Sequence, residues 1–326
     1  MLSSTKNSKF HQFTRTDYIY STVDKYNLWT SVWSPKDVDP NMTHVPVPVL
    51  VFWHGGGFIV GDRLYEPWWP TWLLELALSQ NALVMAPDYR LLPEASGSDI
   101  ADDVSAFWTW LMTTVPTLAQ LASWRLQPDL NRVLCAGHSA GGTLALMSAV
   151  HRPDVNVKAV VSLYGPLDNS VPELKLARPR KILGSWPPPP RQAEALIRSY
   201  VLKTKGTTRS TGSPAEMWPL VASILQQGRL PRMFHSSSEG QDQRLDLMEA
   251  IQGDPGVLPP MWIVHGLDDS VVSPACSTEF VRKVAEVVKD PRIFLSLRPG
   301  EHNFDAEMGR EVEWIGEGCE FLLGVW

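Results

Sequence analysis

The segment Arg132–Gly142 limits the fold of this chain more than any other. Arg132–Ala136 is a mostly apolar run suited to a strand buried on both faces. Gly137-His138-Ser139-Ala140-Gly141 follows without a linker, and from about Thr143 to Val150 the apolar pattern is that of a helix. A strand that turns this sharply into a helix needs glycines around the serine, because a Cβ there would strike neighbouring backbone. The turn raises the Ser139 hydroxyl above the carboxyl edge of a sheet, at the positive end of the new helix. A serine that only caps the helix is the competing reading, and the strand–helix setting favours a nucleophile.

The rest of the chain repeats the alternation. Val49–Trp53, Ala82–Ala86, Val157–Leu163, Met261–His265 and Arg292–Leu297 read as strands, after two shorter runs at Asp17–Val23 and Asn27–Ser34. Helical spacing appears at Thr71–Ser79 behind Pro70, at Asp99–Thr113 up to a stop at Pro116, at Pro274–Val288 and at Glu311–Leu323. Strands alternating with helices predict a mostly parallel sheet flanked by helices. Between Gly165 and Leu258 no strand pattern continues, and the stretch is too long for a loop. Helical pieces at Gln192–Thr204 and Arg244–Gln252 make it an inserted helical cap. The expected organisation is an N-terminal segment 1–45 adding to the cap and the first strands, a core of 46–165 and 259–326, and a cap of 166–258.

Three further motifs carry chemistry. His54-Gly55-Gly56-Gly57-Phe58 leaves a strand end, where glycines let backbone amides face a substrate oxygen that gains charge. Gly56 and Gly57 are candidate donors, together with Ala140 after the serine. His265-Gly266-Leu267-Asp268-Asp269 follows Met261–Val264, and Asp269 is preferred over Asp268 as the carboxylate that orients a histidine. His302, in the loop after the last strand, is the candidate base. Ser139, Asp269 and His302 occur in the chain order of a nucleophile–acid–base set on this kind of sheet.

Composition narrows the partners. A net charge of −6 over 326 residues offers no basic footprint for nucleic acid. No apolar run reaches the roughly 18 residues of a membrane span, and the polar Met1–Phe13 lacks the apolar core of a secretory signal. The three cysteines show no C-x-x-C spacing, and the histidines form no H-x-x-x-H ligand set, so no metal is expected. A cytoplasmic protein with reduced thiols follows. The 14 tryptophans can pack a core or line an apolar pocket. Trp68, Trp69 and Trp72 have helical spacing just after the glycine loop, and with Phe58 and His138 they are candidate substrate contacts. Trp186, Trp218 and the run Pro187–Pro190 could line the pocket or brace it.

These motifs together resemble the hormone-sensitive-lipase-like branch of the α/β-hydrolases. The resemblance covers roughly residues 45–326 and includes Asp88-Tyr89-Arg90-Leu91 with Pro93-Glu94. It implies an eight-stranded sheet, a cap from the N-terminal segment and the 166–258 insert, and carboxylester hydrolysis of a small-molecule acyl substrate without a cofactor. It also implies that Asp88–Leu91 supports the glycine loop. His138 departs from that branch, which more often has Asp there; Gly-His-Ser-Ala-Gly is similar to kynurenine formamidases. Ester, thioester and amide cleavage therefore all stay open, as does transfer or cyclisation of the acyl group. A ligand receptor on an inactive hydrolase fold is disfavoured, because serine, acid and histidine are all present.

Overall fold

The computed structural model describes residues 8–38, 45–121, 124, 126–168, 171–177, 180–235, 242–253 and 258–326. The apolar runs assemble into one eight-stranded sheet. Its strands are β1 (Phe13–Val23), β2 (Tyr26–Pro35), β3 (Pro46–Trp53), β4 (Leu83–Pro87), β5 (Gln127–His138), β6 (Ala159–Leu163), β7 (Met261–Gly266) and β8 (Ile293–Arg298), in the order β1-β2-β4-β3-β5-β6-β7-β8. β1 and β2 form an antiparallel hairpin, β2 runs antiparallel to β4, and every pairing from β4 to β8 is parallel. β4, β6 and β7 are buried along their whole length. A parallel strand covered on both faces needs no polar alternation, which is why these runs are continuous in the sequence.

The helices are α1 (Thr71–Ser79), α2 (Gly97–Thr113), α3 (Val115–Leu121), α4 (Ala140–His151), α5 (Pro172–Lys175), α6 (Pro190–Thr204), α7 (Pro214–Gln226), α8 (Leu230–Phe234), α9 (Leu247–Gly253), α10 (Ala275–Val287) and α11 (Glu313–Leu323). Side chains alternate across β3. Val49, Val51 and Trp53 join a core with α2, α4, α9 and α10, while Leu50 and Phe52 join a second core with α1 and α11. A capping box closes the start of α2, with the Ser96 hydroxyl accepting from Asp99 N–H and Asp99 accepting from Ser96 N–H. Cys135 in β5, Cys276 in α10 and Cys319 in α11 are all buried, and none of them is in a disulfide.

Several elements differ from their sequence patterns, α3, α7 and α9 among them. Pro116 does not end the helical region: after α2 the chain re-enters a helix, and Pro116 sits in the first turn of α3, where a missing N–H costs nothing. Pro214 and Pro219 break the helical pattern of α7 in the sequence; in the structure Pro214 opens the helix and Pro219 is still within its first two turns. α9, placed by sequence in the cap, packs against α4 and α10 of the core. Between β6 and β7, α6 packs on α7 instead.

Candidate active site

The elbow behaves as its glycines require. Ser139 stands at φ 52°, ψ −123°, between the end of β5 and the first residue of α4. Its N–H donates to Leu163 O at the end of β6 (2.8 Å), tying the turn to the next strand. A Cβ on Gly137 would lie 2.1 Å from Gly141 O, and one on Gly141 would lie 2.0 Å from Trp53 O. Neither position admits a side chain.

Two loops bring the acid and the histidine together. Asp269 lies after β7 and His302 after β8, and His302 Nδ1 meets Asp269 Oδ2 at 2.6 Å. The other carboxylate oxygen, Oδ1, accepts the N–H groups of Val271 and Val272, both at 2.8 Å. Burial opposes ionisation of Asp269. The His302 charge and hydrogen bonds from His265 and His302 outweigh it and hold the carboxyl well below its usual range. Asp268 points elsewhere and accepts Gly300 N–H through Oδ2 (3.0 Å), bracing the loop that carries His302. Glu301 Oε1 accepts both Ser270 N–H (2.6 Å) and His302 N–H (2.8 Å), clamping the two loops to each other.

Sequence reasoning gave Tyr164, His265 and Asn303 no part in this cluster. Tyr164, fully buried just after β6, sets its ring 4.7 Å from the His302 ring, edge to face, and its hydroxyl donates to Asn303 Oδ1 (3.1 Å). His265 is held between Ser277 Oγ and Val272 O, with Nε2 3.3 Å from Asp269 Oδ2. Its place four residues before Asp269, at the end of a buried strand, was the available signal.

The glycine loop meets the elbow. Gly56 and Gly57 have positive φ (93° and 63°), and a Cβ on Gly56 would lie 1.9 Å from Val60 O. The N–H groups of Gly56, Gly57 and Ala140 donate to no acceptor among the described residues. All three residues border the cavity beside Ser139. Asp88–Leu91 supports the loop from below. Tyr89 hydroxyl donates to His54 O (2.8 Å), its ring stacks on the His54 imidazole at 4.3 Å, and Asp88 pairs with the Arg63 guanidinium.

The cavity measures about 210 Å³ and also has His302 and Asn303 in its wall. Its far side comes from the segment between β6 and β7, through Trp218, Val221 and Leu225 of α7 together with Leu230. Of the expected substrate contacts, Trp68 and His138 line it. His138 accepts Gly55 N–H through Nε2 (3.3 Å) and stacks on Phe52, and its Nδ1 has no partner among the described residues. Phe58 lies behind, stacked on Phe234 at 4.5 Å, and lines a smaller side chamber of about 30 Å³.

Trp69 and Trp72 do not reach the cavity. Trp69 precedes α1 and packs on Phe52, while Trp72 packs at a tilt against Trp262 (5.0 Å between ring centres) and donates its Nε1–H to Asp305 (2.9 Å). Both belong to the core under the sheet. The spacing argument failed because α1 begins only at Thr71, so Trp68 and Trp72 share no helix face. Trp186 is 65% exposed. Residues 8–38 and Val45 contribute nothing to the cavity wall, and the expectation for residues 1–7 and 39–44 lies outside the described residues. Among the described residues no group of His, Cys, Asp or Glu side chains is placed to hold a metal, and no helix is long and apolar enough to cross a membrane.

The chain is 50% identical over 320 residues, spanning 98% of both chains, to the probable carboxylesterase M8 of Phoma sp.. It is 26% identical to a portion of the non-reducing polyketide synthase ascC of Acremonium egyptiacum, a match covering 98% of this chain and 16% of that one. Among solved structures it superposes on esterase 2 of Thermogutta terrifontis, phosphonylated by sarin, with a TM-score of 0.60 at 19% identity, over 95% of this chain and 94% of that one. Residues 50–277 match the model of the alpha/beta hydrolase fold. With an eight-stranded sheet, a serine elbow and a match to that model over more than half of its length, this chain belongs to the α/β-hydrolase family.

Proposed function

We propose that the protein is a serine hydrolase that cleaves the carboxylic ester of a small, fairly apolar molecule through an acyl-enzyme. The observation that carries this reading is one cavity bordered by Ser139 on its elbow, by His302 bonded to Asp269, and by three amides without acceptors. Ser139 Oγ attacks the carbonyl carbon as His302 Nε2 takes its proton. The carbonyl oxygen gains the negative charge and accepts from the N–H groups of Gly56, Gly57 and Ala140. Collapse expels the alkoxide, which takes the proton from His302, and leaves the acyl group on Ser139. Water then loses a proton to His302, attacks the acyl carbon, and the acid departs as Ser139 recovers its proton. Asp269 holds the imidazole in the tautomer that each transfer needs.

The apolar walls from α7 favour uncharged acyl or alcohol groups, at about 0.8 kcal/mol for each methylene buried. A second reading keeps the machinery and changes the acceptor: release or transfer of an acyl group from a thioester. The similarity to a polyketide synthase favours it. Three buried cysteines outside disulfides suit a reducing compartment, and we place the protein in the cytoplasm.

The test is labelling with a fluorophosphonate followed by a panel of chromogenic esters, thioesters and N-formyl amides. Labelling should map to Ser139 and vanish in Ser139→Ala, and esters of several carbons should exceed acetate esters in kcat/KM by about tenfold. Label retained in Ser139→Ala would sink the assignment, and thioesters outrunning every ester would favour the second reading.

A further inference from the structure

Arg209 lies in the segment between α6 and α7, yet its guanidinium ends on the glycine loop of the core. All five of its N–H groups are used. Nη1 donates to Ile59 O (2.8 Å) and Thr211 O (3.3 Å), Nη2 to Leu92 O (2.9 Å) and Glu94 Oε2 (3.0 Å), and Nε to Glu94 Oε1 (2.9 Å). The Glu94 side chain is buried and also accepts the Tyr200 hydroxyl of α6 (2.8 Å). Backbone bonds reinforce the join. Leu91 N–H donates to Arg209 O (2.7 Å), and Gly61 and Gly212 exchange bonds of 2.7 and 3.2 Å. A Cβ on Gly212 would lie 2.5 Å from Arg209 Nη1, so a glycine there leaves the guanidinium its place.

The carbonyl of Ile59 is the telling acceptor. Ile59 N–H donates to Gly56 O (3.0 Å), and Phe58 O accepts from Leu92 N–H (2.7 Å), so Ile59 closes the turn that holds Gly56 and Gly57. Upstream of these glycines the loop is fixed by Tyr89, a core residue; downstream it is fixed by Arg209, a residue of the insert. Resting on the reading of Gly56 and Gly57 as oxyanion donors, we propose that Arg209 is a positioning residue that couples the docked insert to those donors. Their amides are then correctly aimed only while the α6–α7 segment is seated. Amides that strengthen their bonds as charge develops act on the transition state, so misaiming them lowers kcat and leaves KM nearly unchanged.

Arg209→Lys separates this role from simple stability. Lysine keeps a positive charge beside buried Glu94, whereas Arg209→Ala would strand that carboxylate, and lysine cannot reproduce the planar fork that reaches Ile59 O and Leu92 O together. Steady-state kinetics on the best ester from the panel, with a thermal melt of the same samples, is the measurement. The expected result is a folded Arg209→Lys protein with kcat lowered about 10- to 100-fold and KM within about threefold of wild type. A kcat within about twofold of wild type would overturn the proposal, as would a loss confined to KM, which would make Arg209 a prop for the cavity wall. An inactive wild-type protein would overturn the hydrolase reading and this one with it; an active wild type matched by Arg209→Lys overturns this one alone.

Discussion

Asp268 and Asp269 adjoin in sequence and do different work in space. Asp269 receives His302 Nδ1 and two amides, while Asp268 receives Gly300 N–H. Asp269→Asn is expected to lower turnover by about 10³ to 10⁴, because an amide in that place favours the wrong imidazole tautomer. Asp268→Asn should cost about tenfold or less, through a looser loop. Steady-state rates on one ester decide it, and a reversed ranking would move the acid one residue upstream. The carboxyl of Asp269 is held below the usual range, so it stays ionised through mild acid and any activity loss there has another source. Serine, acid and histidine were legible because each sits in a short motif at a strand end. Tyr164 was not, since in sequence it only extends an apolar strand, and nothing local says that its ring meets His302.

Among the elements, strands were easier to read than helices. β6 and β7 are buried on both faces and appear as unbroken apolar runs, whereas α7 hides behind two prolines and still supplies the wall opposite Ser139. Helical spacing also says which residues share a face without saying what that face meets, and Trp72 was misplaced for that reason. The contrast between α1 and α7 is testable. Trp218→Ala on α7 should shift the preferred ester toward longer chains while the shortest ester is still cleaved, because it removes wall and no chemistry. Trp72→Ala on α1 should instead cost about 3 to 5 kcal/mol of stability and leave the chain-length profile unmoved. Profiles over a series of p-nitrophenyl esters, paired with urea unfolding, check both; a profile that moves only in the α1 variant would refute the assignment of the walls.

For the whole molecule, buried imidazoles and buried carboxyls pull stability in opposite directions as pH falls. Burial lowers the His54 imidazole to about 4 and holds His138 well below its ordinary value. The unfolded chain protonates both near pH ~6.5. Between that value and about 4 the unfolded state binds more protons, so these two groups stabilise the fold above about 6.5 and lose that contribution as pH falls. Burial raises the carboxyls of Asp88 to about 7 and Asp103 to about 6, and these act in the opposite direction. The wild-type curve is therefore a balance, and a variant isolates one member. His138→Gln keeps an acceptor for Gly55 N–H and removes the titration. Its loss of stability between about pH 6.5 and 5.5 should be smaller than that of wild type by about 1 kcal/mol, measured by denaturant unfolding. Equal slopes would mean that His138 is protonated in the folded protein.

The three cysteines give the molecule a second property that catalysis does not use. Cys135 lies in the middle of the sheet, Cys276 in a helix on one face and Cys319 in a helix on the other. Burial raises the thiols of Cys135 and Cys319 to about 12 and 11, so both are protonated as well as covered. An alkylating reagent needs thiolate and access; the native fold withholds both at Cys135 and Cys319, and access at Cys276. Each sulfur becomes reactive only when its own layer parts from the sheet. The order in which the three are capped during slow denaturation is thus a written sequence of events: one mark for each face, and a last one for the sheet between them.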